Sequence, residues 1–260
     1  MHNTATFLGY KFFSNRKSEL LKKINHHLKN ENDCLSIFTP NAEQLVQAWE
    51  NPNLNRHLKQ ADLLIADGMS LVWSSKLLSL FNRSQAIEQR ISGIELAQDL
   101  LKIGQSLDLK ILLIGGRDYQ LLVDAQETSQ VSNDQLWQLR KGLSWTLGYK
   151  EVSQQLDREE QLLKNQLLQL KPDIVLLAFG APFQEEWLIS HLDLLNQAQV
   201  KLAMTTGGAF DIILGRLKRA PVILQKMGLE WLFRLIQEPW RWKRQTRLIK
   251  FGCLVIKQLF

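Results

Sequence analysis

The stretch Asp173-Ile174-Val175-Leu176-Leu177-Ala178-Phe179-Gly180-Ala181-Pro182 decides the fold class. An apolar run without polar alternation is a strand buried on both faces, the mark of a parallel sheet covered by helices. It ends on glycine and proline, with Pro182 well placed to open the next helix. The same pattern repeats outward from it. Apolar runs at 35–38, 62–66 and 110–114 precede helical patterns at 42–50, 69–80 and beyond Gly115-Gly116. Residues 201–205 precede Gly207-Gly208, and 144–146 form a further short strand. Ser153 is placed to cap a long helix reaching Leu170, which Pro172 stops. The expected fold is α/β, a Rossmann-like parallel sheet with helices on both faces. In such sheets ligands bind at the carboxyl ends of the strands. The polar and glycine punctuation falls there: Thr39-Pro40-Asn41, Asp67-Gly68, Gly115-Gly116, Gly180 to Gln184 and Thr206-Gly207-Gly208.

With 260 residues and 45% hydrophobic content, the chain is long enough for one large domain with an appendage. Two cysteines support neither a zinc spacing nor a disulfide framework and are expected to be reduced. The start of the chain lacks the pattern of a secretory signal, and no apolar run approaches the ~20 residues of a spanning helix. The net charge of +6 is unevenly spread. From Arg216 onward eleven Lys/Arg face two acids, Glu230 and Glu238, giving +9 there and −3 for the rest. A weakly acidic body with a basic, Trp-containing tail points to a polyanionic partner.

The domain boundary is expected near Arg216, with 1–215 as the catalytic α/β domain and 216–260 as a basic, amphipathic helical appendage. In its first helix Leu229, Leu232, Phe233 and Ile236 share one face, and Pro239 breaks it. Beyond the break Lys243, Arg247, Lys250 and Lys257 oppose Leu248, Phe251 and Val255. The apolar stripe either packs on the body or lies in a membrane surface; 229–236 is expected to pack and Trp240 onward to face the membrane.

Each motif admits two readings. Asp67, at a strand mouth, suits a general base, or caps a turn or helix. Thr39 and Asn41 suit hydrogen bonds to a sugar, or cap the following helix. The glycines at 115 and 180 let a phosphate or sugar approach the backbone, or form tight turns. Gln184 reaches a ligand, or sits in a first turn. No Asp-x-Asp pair is present to hold a metal on a diphosphate, so arginines must supply that charge. The five histidines form no metal spacing, and the sequences of a P-loop and of a Gly-x-Ser-x-Gly hydrolase are absent.

Together these segments resemble the WecG/TagA/CpsF glycosyltransferase family. The resemblance is carried by Thr39-Pro40-Asn41, Ala61 to Gly68, Arg90 to Leu96, Leu113 to Gly116, Gly180 to Glu185, Gly207 to Asp211, Lys218 to Pro221, Gly228 to Leu235 and Glu238 to Trp242. It implies an inverting, metal-independent transfer of an N-acetylmannosamine-type sugar from a UDP carrier to a polyprenyl-diphosphate-linked N-acetylglucosamine, with no cofactor. By that resemblance Asp67 is the base. Thr39, Asn41, Arg90, Gly115, Gly180, Gln184 and Gly207 line the substrate pocket. The basic tail 216–260 is the family's appendage, an active-site lid that closes over the pocket and docks on the membrane, and its Arg219, Arg234, Arg241 and Arg244 meet the diphosphate or lipid headgroups. The implied partners are the donor, the lipid-linked acceptor and an anionic membrane surface rather than nucleic acid. The implied location is cytoplasmic, peripheral at the inner face of the cell membrane. Two positions depart from the family pattern: Leu147-Gly148-Tyr149-Lys150 where relatives often carry His-Gly-Tyr-Phe, and Phe183 where they often carry Lys. The rival function is a non-catalytic, membrane- or nucleic-acid-binding protein that uses the basic tail.

Overall fold

The computed structural model describes residues 4–116, 129–132 and 136–260; the side chains of 129–132, 137, 140, 226, 241 and 243–245 lie outside that description. The helix expected after Gly115-Gly116 falls outside it as well. The fold is the expected α/β type, with a mostly parallel sheet and helices on both sides. The strands in chain order are β1 (Thr4–Phe7), β2 (Tyr10–Phe13), β3 (Leu35–Phe38), β4 (Leu63–Leu64), β5 (Ile111–Gly115), β6 (Ser129–Ser132), β7 (Leu136–Arg140), β8 (Leu143–Thr146), β9 (Ile174–Ala178) and β10 (Leu202–Thr205). The chain divides into two compact units. One comprises the residues through Leu20, Thr39–Gly93 and Leu217–Phe260; the other comprises Leu21–Phe38 and Ile94–Arg216. The basic tail therefore clusters with N-terminal segments of the chain.

In the second unit β3, β10, β9, β5 and β8 run parallel in that order, and β7 and β6 extend the edge antiparallel. The central strands β5 and β9 are buried at every residue, as their unbroken apolar sequences require. Helix Asp157–Leu170 begins four residues after the expected cap. Ser153 bonds Glu151 instead, and Asp157, Glu159 and Glu160 supply the negative charge that a helix N-terminus favours. Its end is as expected: Lys171 takes a left-handed conformation ahead of Pro172.

In the first unit β1 and β2 form an antiparallel hairpin, and β2 pairs with β4 in parallel. Helix Ala42–Glu50 opens with a capping box in which Asn41 Oδ1 accepts from the Gln44 amide and Gln44 Oε1 accepts from the Asn41 amide, both at 3.1 Å. Helix Trp242–Lys257 packs on it. Phe251 and Val255 are buried, with the Phe251 ring 6.4 Å from Phe7. Arg247 pairs with Glu43 at 2.9 Å, and Lys250 pairs with Glu50. This corrects the expected division of the tail. Helix Trp242–Lys257 is docked through its apolar face, because that face matches the side of Ala42–Glu50 and its cations find acids there. Helix Glu230–Gln237 buries none of its residues, leaving Trp231, Leu232 and Ile236 exposed. Trp240 and Trp242, between the two helices, are exposed as expected.

Candidate active site

The first unit gathers its charged groups around the end of β4. Beyond Leu64 the chain is pinned by neighbouring loops: the Ile91 amide donates to the Ala66 carbonyl at 3.2 Å, and the Asp67 amide donates to the Pro40 carbonyl at 3.1 Å. These bonds lace segments 39–41, 66–68 and 90–93 together, so residues distant in sequence meet. Asp67 makes no cap to helix Met69–Ser79, which follows it. Its carboxylate accepts from the Gly93 backbone N–H and faces Arg90, with Oδ1 3.5 Å from Nη2. Thr39 is buried beside it. A Cβ on Gly93 would lie 2.9 Å from Thr39 Oγ1 and 3.3 Å from Asp67 Oδ2. Only glycine lets the amide, the hydroxyl and the carboxylate converge this closely.

The same Arg90 nitrogen is held more closely by Glu230, Nη2 to Oε2 at 2.5 Å, a charge-assisted contact. The second oxygen of Glu230 lies 3.6 Å from Arg219 Nε. Burial pushes the Asp67 carboxyl above its ordinary value of 3.8; Arg90 opposes the shift, Glu230 adds to it, and the Gly93 amide opposes it. About a quarter of the Asp67 side chain (26%) stays exposed, so the carboxylate is recessed yet open to a ligand. A recessed, partly exposed carboxyl of raised pKa beside an arginine has the properties of a general base next to an anion site.

Asn41 borders this cluster, its Cβ 3.9 Å from where a side chain on Gly68 would begin, but its Oδ1 is spent on the helix cap. Arg234 pairs with the buried Glu238 at 3.0 Å, an internal contact of the tail. The side chains of Arg241 and Arg244 lie outside the described residues.

The second unit gathers backbone groups instead. Gly115, Gly180 and Gly207 lie at the carboxyl ends of β5, β9 and β10, all with positive φ. Gly115 has a further reason to lack a side chain, since a Cβ would come within 2.6 Å of the Phe179 ring. Gln184, itself buried, accepts from the Gly180 amide at 3.2 Å and the Gly207 amide at 3.1 Å, and donates to Glu185 at 2.7 Å. One side chain thus ties two glycine loops at the sheet's edge. Nearby, the buried Tyr149 hydroxyl donates to Glu160 and accepts from Trp187 Nε1 at 2.8 Å, while His191 Nε2 contacts the other Glu160 oxygen at 2.8 Å. Burial and the Glu160 bond push the Tyr149 hydroxyl upward, and its bonds to Tyr149 and His191 hold Glu160 below the ordinary range against its own burial.

A family model described as Glycosyl transferase WecG/TagA/CpsF family matches residues 5–260. The chain belongs to this family. A relative from Staphylococcus aureus (strain MRSA252), an N-acetylglucosaminyldiphosphoundecaprenol N-acetyl-beta-D-mannosaminyltransferase, is 29% identical over 249 residues, covering 95% of this chain and 89% of its own length. A Bacillus subtilis (strain 168) protein of the same name is 27% identical over 256 residues, 98% of this chain and 92% of its own. In this WecG/TagA/CpsF member Thr39, Asp67, Arg90 and Arg219 lie in one unit. Gly115, Gly180, Gln184 and Gly207 lie at the carboxyl ends of the parallel strands in the other.

Sequence reasoning passed over two residues of the first cluster. Gly93 lies within the Arg90 to Leu96 motif, and only the fold reveals that its missing side chain matters. Glu230 stands in the sequence without a role of its own, inside the Gly228 to Leu235 motif. The available signal was that it is one of two acids among the eleven cations of the tail.

Proposed function

We propose that this protein is an inverting, metal-independent glycosyltransferase of cell-surface polysaccharide synthesis, moving N-acetylmannosamine from a UDP carrier to the N-acetylglucosamine of a polyprenyl-diphosphate acceptor. The observation that carries the reading is the Asp67 carboxyl: recessed, partly exposed, raised in pKa and set beside Arg90, with Arg219 on the far side of Glu230. Asp67 takes the proton of the acceptor hydroxyl as that oxygen attacks the anomeric carbon. The bond to UDP breaks on the opposite face, which inverts the configuration. The departing diphosphate develops negative charge, and the guanidiniums of Arg90 and Arg219 supply the compensating charge that a metal provides elsewhere. The names of the relatives supply the sugar and the acceptor.

The acceptor's lipid implies a membrane surface, and the tail is suited to one. No helix among the described residues is long and apolar enough to cross a membrane. Ile223, Ile236 and Trp240 are 72%, 71% and 59% exposed within a segment rich in cations. Apolar and aromatic side chains interleaved with cations suit the anionic inner leaflet, which supports a cytoplasmic enzyme peripheral at the cell membrane.

The test is turnover of UDP-N-acetylmannosamine with a lipid-diphosphate N-acetylglucosamine acceptor, in excess EDTA. Wild type should remain active under chelation. Asp67→Asn should lose roughly 100-fold or more of its turnover while still binding donor. Full activity in Asp67→Asn, or loss on chelation restored by Mg²⁺, would overturn the reading.

A further inference from the structure

Glu230 is a carboxylate in a place where the proposed chemistry has no obvious use for one. It belongs to the tail, on helix Glu230–Gln237, and reaches two arginines assigned to an anionic substrate. Its side chain is 17% exposed, so the ion pairs are shielded from solvent and carry more weight than surface pairs do. The helix is delivered to the site by a close approach. Gly228, at φ +71°, has Met69 Cβ and Trp73 Cη2 each 3.1 Å from the position of a Cβ. Met69 is two residues from Asp67, so the turn before Glu230 seats directly on the helix that follows the base. A second tie fixes the other end of this helix: Gln237 accepts from the Lys218 amide at 3.1 Å and donates to the Lys218 carbonyl at 2.9 Å.

The charged groups facing Asp67 are Arg90, from the loop before helix Gly93–Ser106, and Glu230, with Arg219 behind it. Arg90 has two carboxylates to choose between. At 2.5 Å from Glu230 and 3.5 Å from Asp67 it is committed to the former. Without Glu230 the guanidinium would be free to close on Asp67, and an aspartate locked to an arginine is a poor base.

We propose that Glu230 is a positioning residue of the transfer reaction. It draws Arg90 off Asp67 and holds Arg90 and Arg219 as a pair for the diphosphate, so that the carboxylate of Asp67 is left able to take a proton. This rests on the reading of Asp67 as the base, and it adds that a carboxylate outside the proton transfer sets the geometry in which the transfer occurs.

The experiment compares pH profiles of kcat/KM for wild type, Glu230→Gln, Glu230→Asp and Asp67→Asn, with thermal melting of each and UDP-N-acetylmannosamine as donor. Glu230→Gln keeps an oxygen for hydrogen bonding but loses the charge. Its acid limb should move to lower pH, since Glu230 raises the carboxyl of Asp67, and kcat should fall about 10-fold or more, the scale on which positioned proton transfer matters. Glu230→Asp keeps the charge on a shorter arm; its limb should stay near the wild-type position while kcat falls. A Glu230→Gln enzyme that melts like wild type with limb and kcat unchanged would overturn the proposal. Should that variant fail to fold, Glu230→Asp decides: reduced kcat with the limb kept supports the proposal, and unchanged kcat overturns it. Asp67→Asn separates the two claims. If it abolishes the limb while Glu230→Gln leaves it in place, the base stands and the positioning role falls; if the limb survives in Asp67→Asn, both fall.

Discussion

The candidate sites of the two units are built from different materials. The first offers charged side chains, Asp67, Arg90, Arg219 and Glu230, assembled from loops far apart in sequence. The second offers backbone, with glycines at the ends of β5, β9 and β10 and Gln184 bracing two of the loops. Charged side chains suit a step in which charge develops and a proton moves, and they tolerate little change in chemistry. Backbone surfaces suit shape recognition, and they tolerate changes that preserve loop geometry. The division teaches that residues grouped as one pocket in the sequence need not do one kind of work. Gln184 resembles a ligand contact in sequence, but its side chain is committed to holding Gly180 and Gly207.

That contrast is open to attack in the second unit first. Gln184→Ala removes the acceptor for two amides, and leaving buried groups unsatisfied costs about 1–3 kcal/mol each. Melting should fall by several degrees, with the acid limb of the pH profile unmoved. A displaced acid limb would show that Gln184 shares in the proton transfer and would break the comparison. A smaller effect is expected from the tail. Ile223→Ser with Ile236→Ser removes two exposed apolar side chains, so folding should be unaffected. Sedimentation with anionic vesicles should fall several-fold, because each large apolar side chain contributes about 1.5–3 kcal/mol when fully buried and only part of that at an interface. Vesicle binding equal to wild type would move the docking surface elsewhere. Truncation after Pro239 is the poorer test, since it strips Phe251 and Val255 from the core they help form.

Much of this was legible in the chain itself. The unbroken apolar runs at β5 and β9 announced a parallel sheet, and the glycine or polar punctuation marked its carboxyl edge. Asn41 and Lys171-Pro172 set helix ends by local chemistry, and local chemistry is what a sequence displays. The hairpins β1–β2 and β6–β7 escaped notice because neither carries a continuous apolar run. Ser153 misled because several first-turn acids can do a cap's electrostatic work. The site divided along the same line. Asp67, Thr39 and Arg90 stand in motifs. Gly93 and Glu230 matter only through partners 26 and 140 residues away in sequence, Asp67 and Arg90. The tail's packing was hidden for a similar reason: amphipathic spacing shows that a helix has an apolar face but not what takes it, and helix Trp242–Lys257 buries Phe251 and Val255 and finds acids at Glu43 and Glu50.

The central claim is that Asp67 is a base tuned by its surroundings, and the pH dependence of kcat/KM tests it most directly. A base must be ionised to act, and burial together with Glu230 keeps the proton on Asp67 to a pH above the ordinary aspartate value of 3.8. Activity should therefore fall as pH drops through an acid limb centred above that value, and the limb should vanish in Asp67→Asn along with most of the turnover. A limb centred at or below 3.8, or one that persists unchanged in Asp67→Asn, would contradict the account.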